Sequence, residues 1–302
     1  MRILSRLLAL PFAALLIAAD EPPTPRSPAP AIWRLSDGDT QIYLFGTNHI
    51  LPQGFVWRSA EIERVIAEAD ELVLETADDF YEGKPERMRA LMTLATPRPV
   101  LDRVGPEHRR SLEMALKSLG VPISTFDRMQ TWAIAFVLMG ASYQQFYGDG
   151  GEGELTGVEV QLTESFRGAA KPISGVETTP QQIGFFRNLS EAGQREFLEQ
   201  MVAGVASGEE SVEEVAPDQL ESVWVAGDVA GLGAQCDSDE SFTPEIREAL
   251  LRRRNANWTA WLIDRLDRPG TLLFAVGACH LAGNDSVQTM LAARGFEATR
   301  VE

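Results

Sequence analysis

Apolar residues fall along this chain in short runs separated by stretches with helical spacing. The segment QIYLFGTNH (41–49) is an apolar run closed by a glycine, which predicts a buried strand, and RSAEIERVIAEAD (58–70) carries its apolar positions at helical intervals. ELVLET (71–76) is a second apolar run. Strand, helix and strand at this spacing predict a βαβ unit whose two strands are parallel and adjacent. Helices are predicted over 105–119, stopped by Gly120, over 124–139, and from Gly157 to Arg167. PISGVET (172–178) reads as another short strand before helical stretches at 178–189 and 191–206. Thr243-Pro244-Glu245 starts a helix that runs to about Leu266, with Thr243 as cap and Pro244 where no N–H is needed. GTLLFAVGACH (270–280) repeats the opening pattern, followed by a helix at 286–295 and a final edge strand, FEATRV (296–301).

The two ends of the chain echo each other. So do ELVLET and PISGVET, each delivering Glu-Thr at a strand end. The pattern predicts an α/β fold, a mostly parallel sheet flanked by helices and built from two related half-units with Gly-x-x-His at strand ends. Ligands in such folds bind beyond the carboxyl ends of the strands, where His49, Glu75, Glu177 and His280 all fall.

Composition adds a location. Arg2 and Arg6 precede an apolar run ending at Ala18-Ala19, the layout of a secretory signal over residues 1–19, with an uncleaved anchor as the alternative. Residues 20–31 are Pro-rich and read as an extended tether, leaving 32–302 as one folded domain. The expectation is a periplasmic or secreted protein with no stable membrane insertion after signal cleavage. No cysteine follows the apolar run, which excludes lipid attachment there; Cys236 and Cys279 are candidates for a disulfide with each other. A formal charge of −17 opposes phosphate backbones and anionic lipid, so nucleic acid is not an expected partner, whereas cations are compatible. The acidic segment 208–228 reads as a solvated helical face, and YGDGGEGEL (147–155), lacking calcium-loop or P-loop spacing, as a turn.

Gly46-Thr47-Asn48-His49 and Gly277-Ala278-Cys279-His280 each put an imidazole where the chain leaves a strand. The chain has 3 histidines, so two in matched contexts point to one site; the third, His108, lies on a charged helix and reads as surface. The alternative for each is a core histidine bonded to a carbonyl. Two imidazoles with one or two carboxylates make a shell for a divalent ion. Glu75, ending an apolar strand where a charge needs a partner, is the first carboxylate candidate and Glu177 the second; the competing reading is a strand-end carboxylate facing water or a helix N-terminus. On the helix LLRRRNANWTAWLIDRL, Arg254 and Asn255 fall inside the apolar stripe of Leu251, Trp258, Trp261 and Leu262. There Arg254 clamps a carboxylate or stabilises an oxyanion while Asn255 orients a neighbour, unless the arginine snorkels from the edge of the stripe. A Cys279–His280 dyad is rejected, because adjacent strand residues point to opposite faces. Phe185, Phe186 and Trp132 read as core.

The stretches YLFGTNHILP, ELVLET, GVEVQLTESFRGAAKPISGVETTPQQ, SVWVAGD, RRRNANW and FAVGACHLAGNDSVQTMLAARGFEATRV together resemble the TraB/GumN family, related to the Tiki-type metalloproteases, over nearly the whole mature chain. The resemblance implies a fold of the Tiki, ChaN and erythromycin-esterase kind in which the two Gly-x-x-His motifs meet. For Tiki-like members it implies a divalent-metal peptidase, with manganese or cobalt favoured and zinc an alternative. Carried over motif by motif, His49, His280 and Glu75 are the metal-site residues, Glu177 the second acid, and Arg254 and Asn255 the polar pair. The expected function is a metal-dependent hydrolase acting on a peptide or protein, with ligand and general base not separated between Glu75 and Glu177. Fold relatives also include a haem-binding lipoprotein. Two other readings therefore stand: a non-catalytic protein that sequesters a peptide, a signal or haem in the same cleft, and a metal-independent hydrolase with a histidine base. The motifs do not specify an oligomeric state.

Overall fold

The computed structural model describes residues 27–52, 54–77, 85–148, 157–203, 217–238 and 243–302. The predicted signal, the first part of the tether, most of YGDGGEGEL and the start of the acidic segment lie outside the described residues. The strands are β1 (Ile32–Ser36), β2 (Thr40–Thr47), β3 (Glu71–Thr76), β4 (Ile173–Glu177), β5 (Gly270–Gly277) and β6 (Thr299–Arg300). They form one sheet in the order β4-β3-β5-β2-β1-β6. Strands β4, β3, β5 and β2 are parallel, and β1 runs antiparallel to both β2 and β6. The fold is therefore the expected α/β arrangement, a mostly parallel sheet flanked by helices.

Two strand expectations change. β1 lies outside the expected strands, because IWRLS offers only three apolar positions. β2 and β3 are parallel but not adjacent, since β5 lies between them and pairs with both. The reason is burial: Leu272, Leu273, Phe274, Ala275 and Val276 are all at most 1% exposed, and so continuous an apolar strand belongs in the middle of a sheet covered on both faces. Alternation then sorts the side chains. Tyr43, Phe45, Leu72, Leu74, Leu273 and Ala275 pack beneath the helices Ala60–Glu68 and Val158–Gly168, whereas Ile42, Leu44, Val73, Leu272, Phe274 and Val276 pack against Arg253–Leu266.

A separate helical core joins Leu112, Leu116, Ile134, Phe197, Leu198 and Ile246. Here the predicted 124–139 helix is broken into a 3₁₀ segment, Ile123–Arg128, and a helix, Thr131–Gly148. Thr243 stands at the expected N-cap but makes no side-chain cap bond. The helix that it begins contains a π turn, Glu248–Arg252, in which Arg253 N donates to Glu248 O. This wide turn directly precedes Arg254, a placement common at functional sites. The end of the predicted tether belongs to the fold, with Ala29 N donating to Val225 O at 2.8 Å and Ala31 buried. Cys236 and Cys279 are disulfide-bonded, with Cα atoms 5.8 Å apart, tying the helix Val229–Ser238 to the turn that carries His280. Among the described residues no helix is long and apolar enough to cross a membrane.

Candidate functional site

The register of the parallel strands brings the echoed motifs together. Thr47 of β2 pairs with Gly277 of β5, so the two Gly-x-x-His turns leave the sheet side by side, and Thr76 of β3 pairs with Glu177 of β4. Each motif glycine makes room for the other half. A Cβ on Gly46 would lie 3.0 Å from Ala278 Cα, and one on Gly277 would lie 3.0 Å from His49 Nε2 and 3.3 Å from Glu75 Oε1. All three distances are tighter than ordinary van der Waals contact, so the glycines let the two halves approach closely.

Arg254 is the hub. Its Nη2 donates to Glu75 Oε2 at 2.5 Å and to Glu177 Oε2 at 2.8 Å, its Nε to both Glu177 oxygens at 3.0 and 3.2 Å, and its Nη1 to Leu250 O at 3.2 Å. Trp258 and Phe185 cover the guanidinium, with ring centroids 4.6 and 5.5 Å from its carbon. Trp258 Nε1 also donates to Glu177 Oε1 at 3.0 Å, so the Glu177 carboxylate is saturated by the groups that hold it. Glu75 has two further partners: Gly277 N donates to Oε1 and Gln182 Nε2 to Oε2, both at 2.8 Å. Burial opposes the charge of Glu75, but Arg254, His280, His49 and the Gly277 amide outweigh it and hold the carboxyl well below the usual range.

The two histidines are anchored alike, each at Nδ1 by an oxygen acceptor. His280 Nε2 lies 3.2 Å from Arg254 Nη1, and because arginine only donates, that nitrogen is the acceptor. Nδ1 therefore carries the proton and donates to Asn255 Oδ1 at 2.5 Å, while Asn255 Nδ2 donates to Asp285 O at 2.8 Å. Burial, and then the Arg254 charge, push the His280 pKa down to about 3 against the pull of Glu75. His49 Nδ1 meets Glu159 Oε1 at 2.6 Å, and Thr47 Oγ1 donates to the same oxygen. Burial lowers the His49 pKa, but Glu159 and then Glu75 overcome that and raise it to about 9; solvent reaching the ring, whose side chain is 62% exposed, screens part of this attraction. Nitrogen-15 NMR should find His280 neutral, protonated at Nδ1 and without a titration step between about pH 5 and 8. An Nε2-protonated ring, or a step in that window, would contradict the hydrogen-bond chain.

The model of the TraB/PrgY/gumN family matches residues 31–300. This chain belongs to the TraB/PrgY/gumN family. The uncharacterized protein YbaP of Escherichia coli (strain K12) is 23% identical over 262 residues, covering 87% of this chain and 92% of the relative, and YbaP of Shigella flexneri matches to the same extent. No solved structure matches the chain.

In this TraB/PrgY/gumN chain His49, Glu75, Glu177, Arg254, Asn255 and His280 all come to one place at the strand ends. The sequence pattern does not mark Glu159, Gln182 or the polar role of Trp258, and it marks Phe185 only as core. Glu159 had one signal, an acid two residues after Gly157. A Cβ on Gly157 would fall 2.2 Å from His49 O, so that glycine lets the helix start dock on the motif.

The site gathers donor types that divalent cations take, two imidazoles and a carboxylate, without setting them out as a ligand group among the described residues. Both imidazoles have Nδ1 tied to an oxygen acceptor, as second-shell partners tie metal-binding histidines, and His49 Nε2 and Glu75 Oε1 flank the same space over Gly277. His280 Nε2 is 3.8 Å from Glu75 Oε1. Among the described residues no three such side chains stand at ligand distances, and Arg254 occupies the His280 lone pair. A cation held by His280 would have to displace Arg254 from that nitrogen.

Proposed function

We propose that this chain is an exported, metal-dependent hydrolase that cleaves peptide bonds, with His49, His280 and Glu75 holding the ion. The observation that carries this reading is the matched anchoring of the two imidazoles, each fixed at Nδ1 by an oxygen acceptor, around one carboxylate: His280 Nε2 lies 3.8 Å from Glu75 Oε1, and His49 Nε2 and Glu75 Oε1 flank the space over Gly277. Manganese or cobalt is favoured, with zinc an alternative, and the ion would supply Lewis acidity toward a carbonyl oxygen.

The protein groups have distinct tasks. Glu159 and Asn255 hold the two rings in one orientation. Glu177, fully engaged with Arg254 and Trp258, positions the guanidinium rather than moving a proton. Arg254, whose N–H groups are all engaged by Glu75, Glu177, Leu250 O and His280, holds these groups together and lends its charge to an oxyanion developing nearby, in a setting with little water to screen it. Glu75 either holds the ion or accepts a proton. The Cys236–Cys279 disulfide suits an oxidising compartment, which supports export to the periplasm or beyond.

A cleavage screen on a mixed peptide library, with added manganese or cobalt, tests the activity. The expected result is cleavage that stops on chelation, returns with the ion and is absent from Arg254→Ala. Cleavage that survives exhaustive chelation would instead favour a metal-independent histidine base.

A further inference from the structure

Beside the site a cleft of about 530 Å³ opens between the helices Thr179–Arg187 and Arg253–Leu266, at the C-terminal end of β4. Val176, Phe185, Trp258 and Trp261 form its walls, and Asn188 and Asn257 lie at its exposed rim. Glu177 is the charged residue in the lining, and Arg254 neutralises it, so the cleft presents apolar surface and amides without free charge. The rings in its wall are continuous with the site, because Phe185 and Trp258 also cover the Arg254 guanidinium.

A second observation concerns the backbone. β4 is the last strand of the sheet on this side, and Ser174 and Gly175 are exposed. Leu72 N donates to Pro172 O at 3.0 Å. By the alternation of a parallel ladder, Pro172, Ser174 and Val176 therefore turn their polar groups to β3, while Ile173, Gly175 and Glu177 turn theirs to the open edge. Among the described residues no strand pairs with that edge. An open edge of this kind is a template for one more strand.

We propose that the cleft and the β4 edge form one substrate subsite, which takes an extended peptide by strand addition and seats one large uncharged apolar side chain between Phe185, Trp258 and Trp261. The inference rests on the hydrolase reading above and names its substrate class. An aspartate or lysine at the seated position meets apolar walls and no free counter-charge, so it is disfavoured. Seating phenylalanine or leucine removes apolar surface from water and favours those residues over alanine by about ten- to a hundredfold.

Gly184 gives the means to test this. It lines the cleft, and a Cβ there would meet only Asn188 Nδ2, at 3.8 Å. Gly184→Leu therefore fills the cleft without backbone strain and improves helix propensity. Binding of the probes Ser-Thr-Xaa-Thr-Ser, with Xaa as Phe, Leu, Ala or Asp and a dye at one end, is measured by fluorescence anisotropy on the intact chain, with manganese binding measured in parallel. The expected result is that Phe and Leu probes bind about tenfold or more tightly than Ala and Asp probes, and that Gly184→Leu removes the preference while manganese binding is kept. N-methylation of alternate amides in the Phe probe should weaken binding in one phase and not in the other. Equal binding of the four probes, or a Phe preference that survives Gly184→Leu, overturns the subsite. Side-chain selectivity without manganese binding supports the subsite and sinks the metal reading instead.

Discussion

Replacing Arg254 by methionine should destabilise the protein by about 3–5 kcal/mol, because it strips the counter-charge from two carboxylates that remain inside the fold. Arg254 is 7% exposed, and it bridges Glu75 and Glu177 through Nη2 while reaching His280 through Nη1. Methionine fills much of the space beneath Trp258 and Phe185, so the loss reports charge rather than cavity. Arg254→Lys should fall between the two, since a lysine keeps the charge but not the planar fork that serves both acids. Urea denaturation at neutral pH measures this, and the expected loss corresponds to a fall in melting temperature on the order of 10 °C.

The pH dependence has a fixed sign. The folded-state pKa of Glu75 is depressed, so its contribution is present above the unfolded carboxylate pKa and is lost as the pH falls through the folded value. The gap between wild type and Arg254→Met should therefore narrow in acid. A variant as stable as the wild type at neutral pH would show that the guanidinium does not hold the two acids together.

Much of this site was legible because its signals are local. Apolar runs ending in Gly-x-x-His mark β2 and β5 from a few residues each, and helical phase placed Arg254 and Asn255 inside an apolar stripe, where both are buried. What was not legible depends on parts of the chain far apart in sequence. The insertion of β5 between β2 and β3 is a choice made by the whole sheet, since any of these apolar strands satisfies a local pattern. Glu159 sits in the first turn of a helix, where an acid ordinarily reads as a partner of the helix dipole. Its link to His49 exists because Val158 N reaches Asn48 O, 110 residues earlier in the chain. The apolar bulk of Trp258 shows in the pattern, while its indole N–H, the polar handle that holds Glu177, has no signature there. The pairing of Cys236 with Cys279 was open for the same reason, because only the packing of a helix on the His280 turn brings their Cα atoms to 5.8 Å.

The second large effect is on the ion itself. His49 and His280 come from different strands, and neither site half supplies two imidazoles, so removing either ring should lower divalent-ion affinity by about a hundredfold or more. Glu159→Gln leaves the His49 ring in place but weakens its orientation, and the expected loss is smaller, about tenfold. Circular dichroism on each variant separates a lost ligand from a lost fold. The most direct measurement is calorimetric titration of manganese into the metal-free wild type, His49→Ala and His280→Ala. The account predicts one ion per wild-type chain and binding weakened by about a hundredfold or more in either variant; full binding by both variants would contradict it.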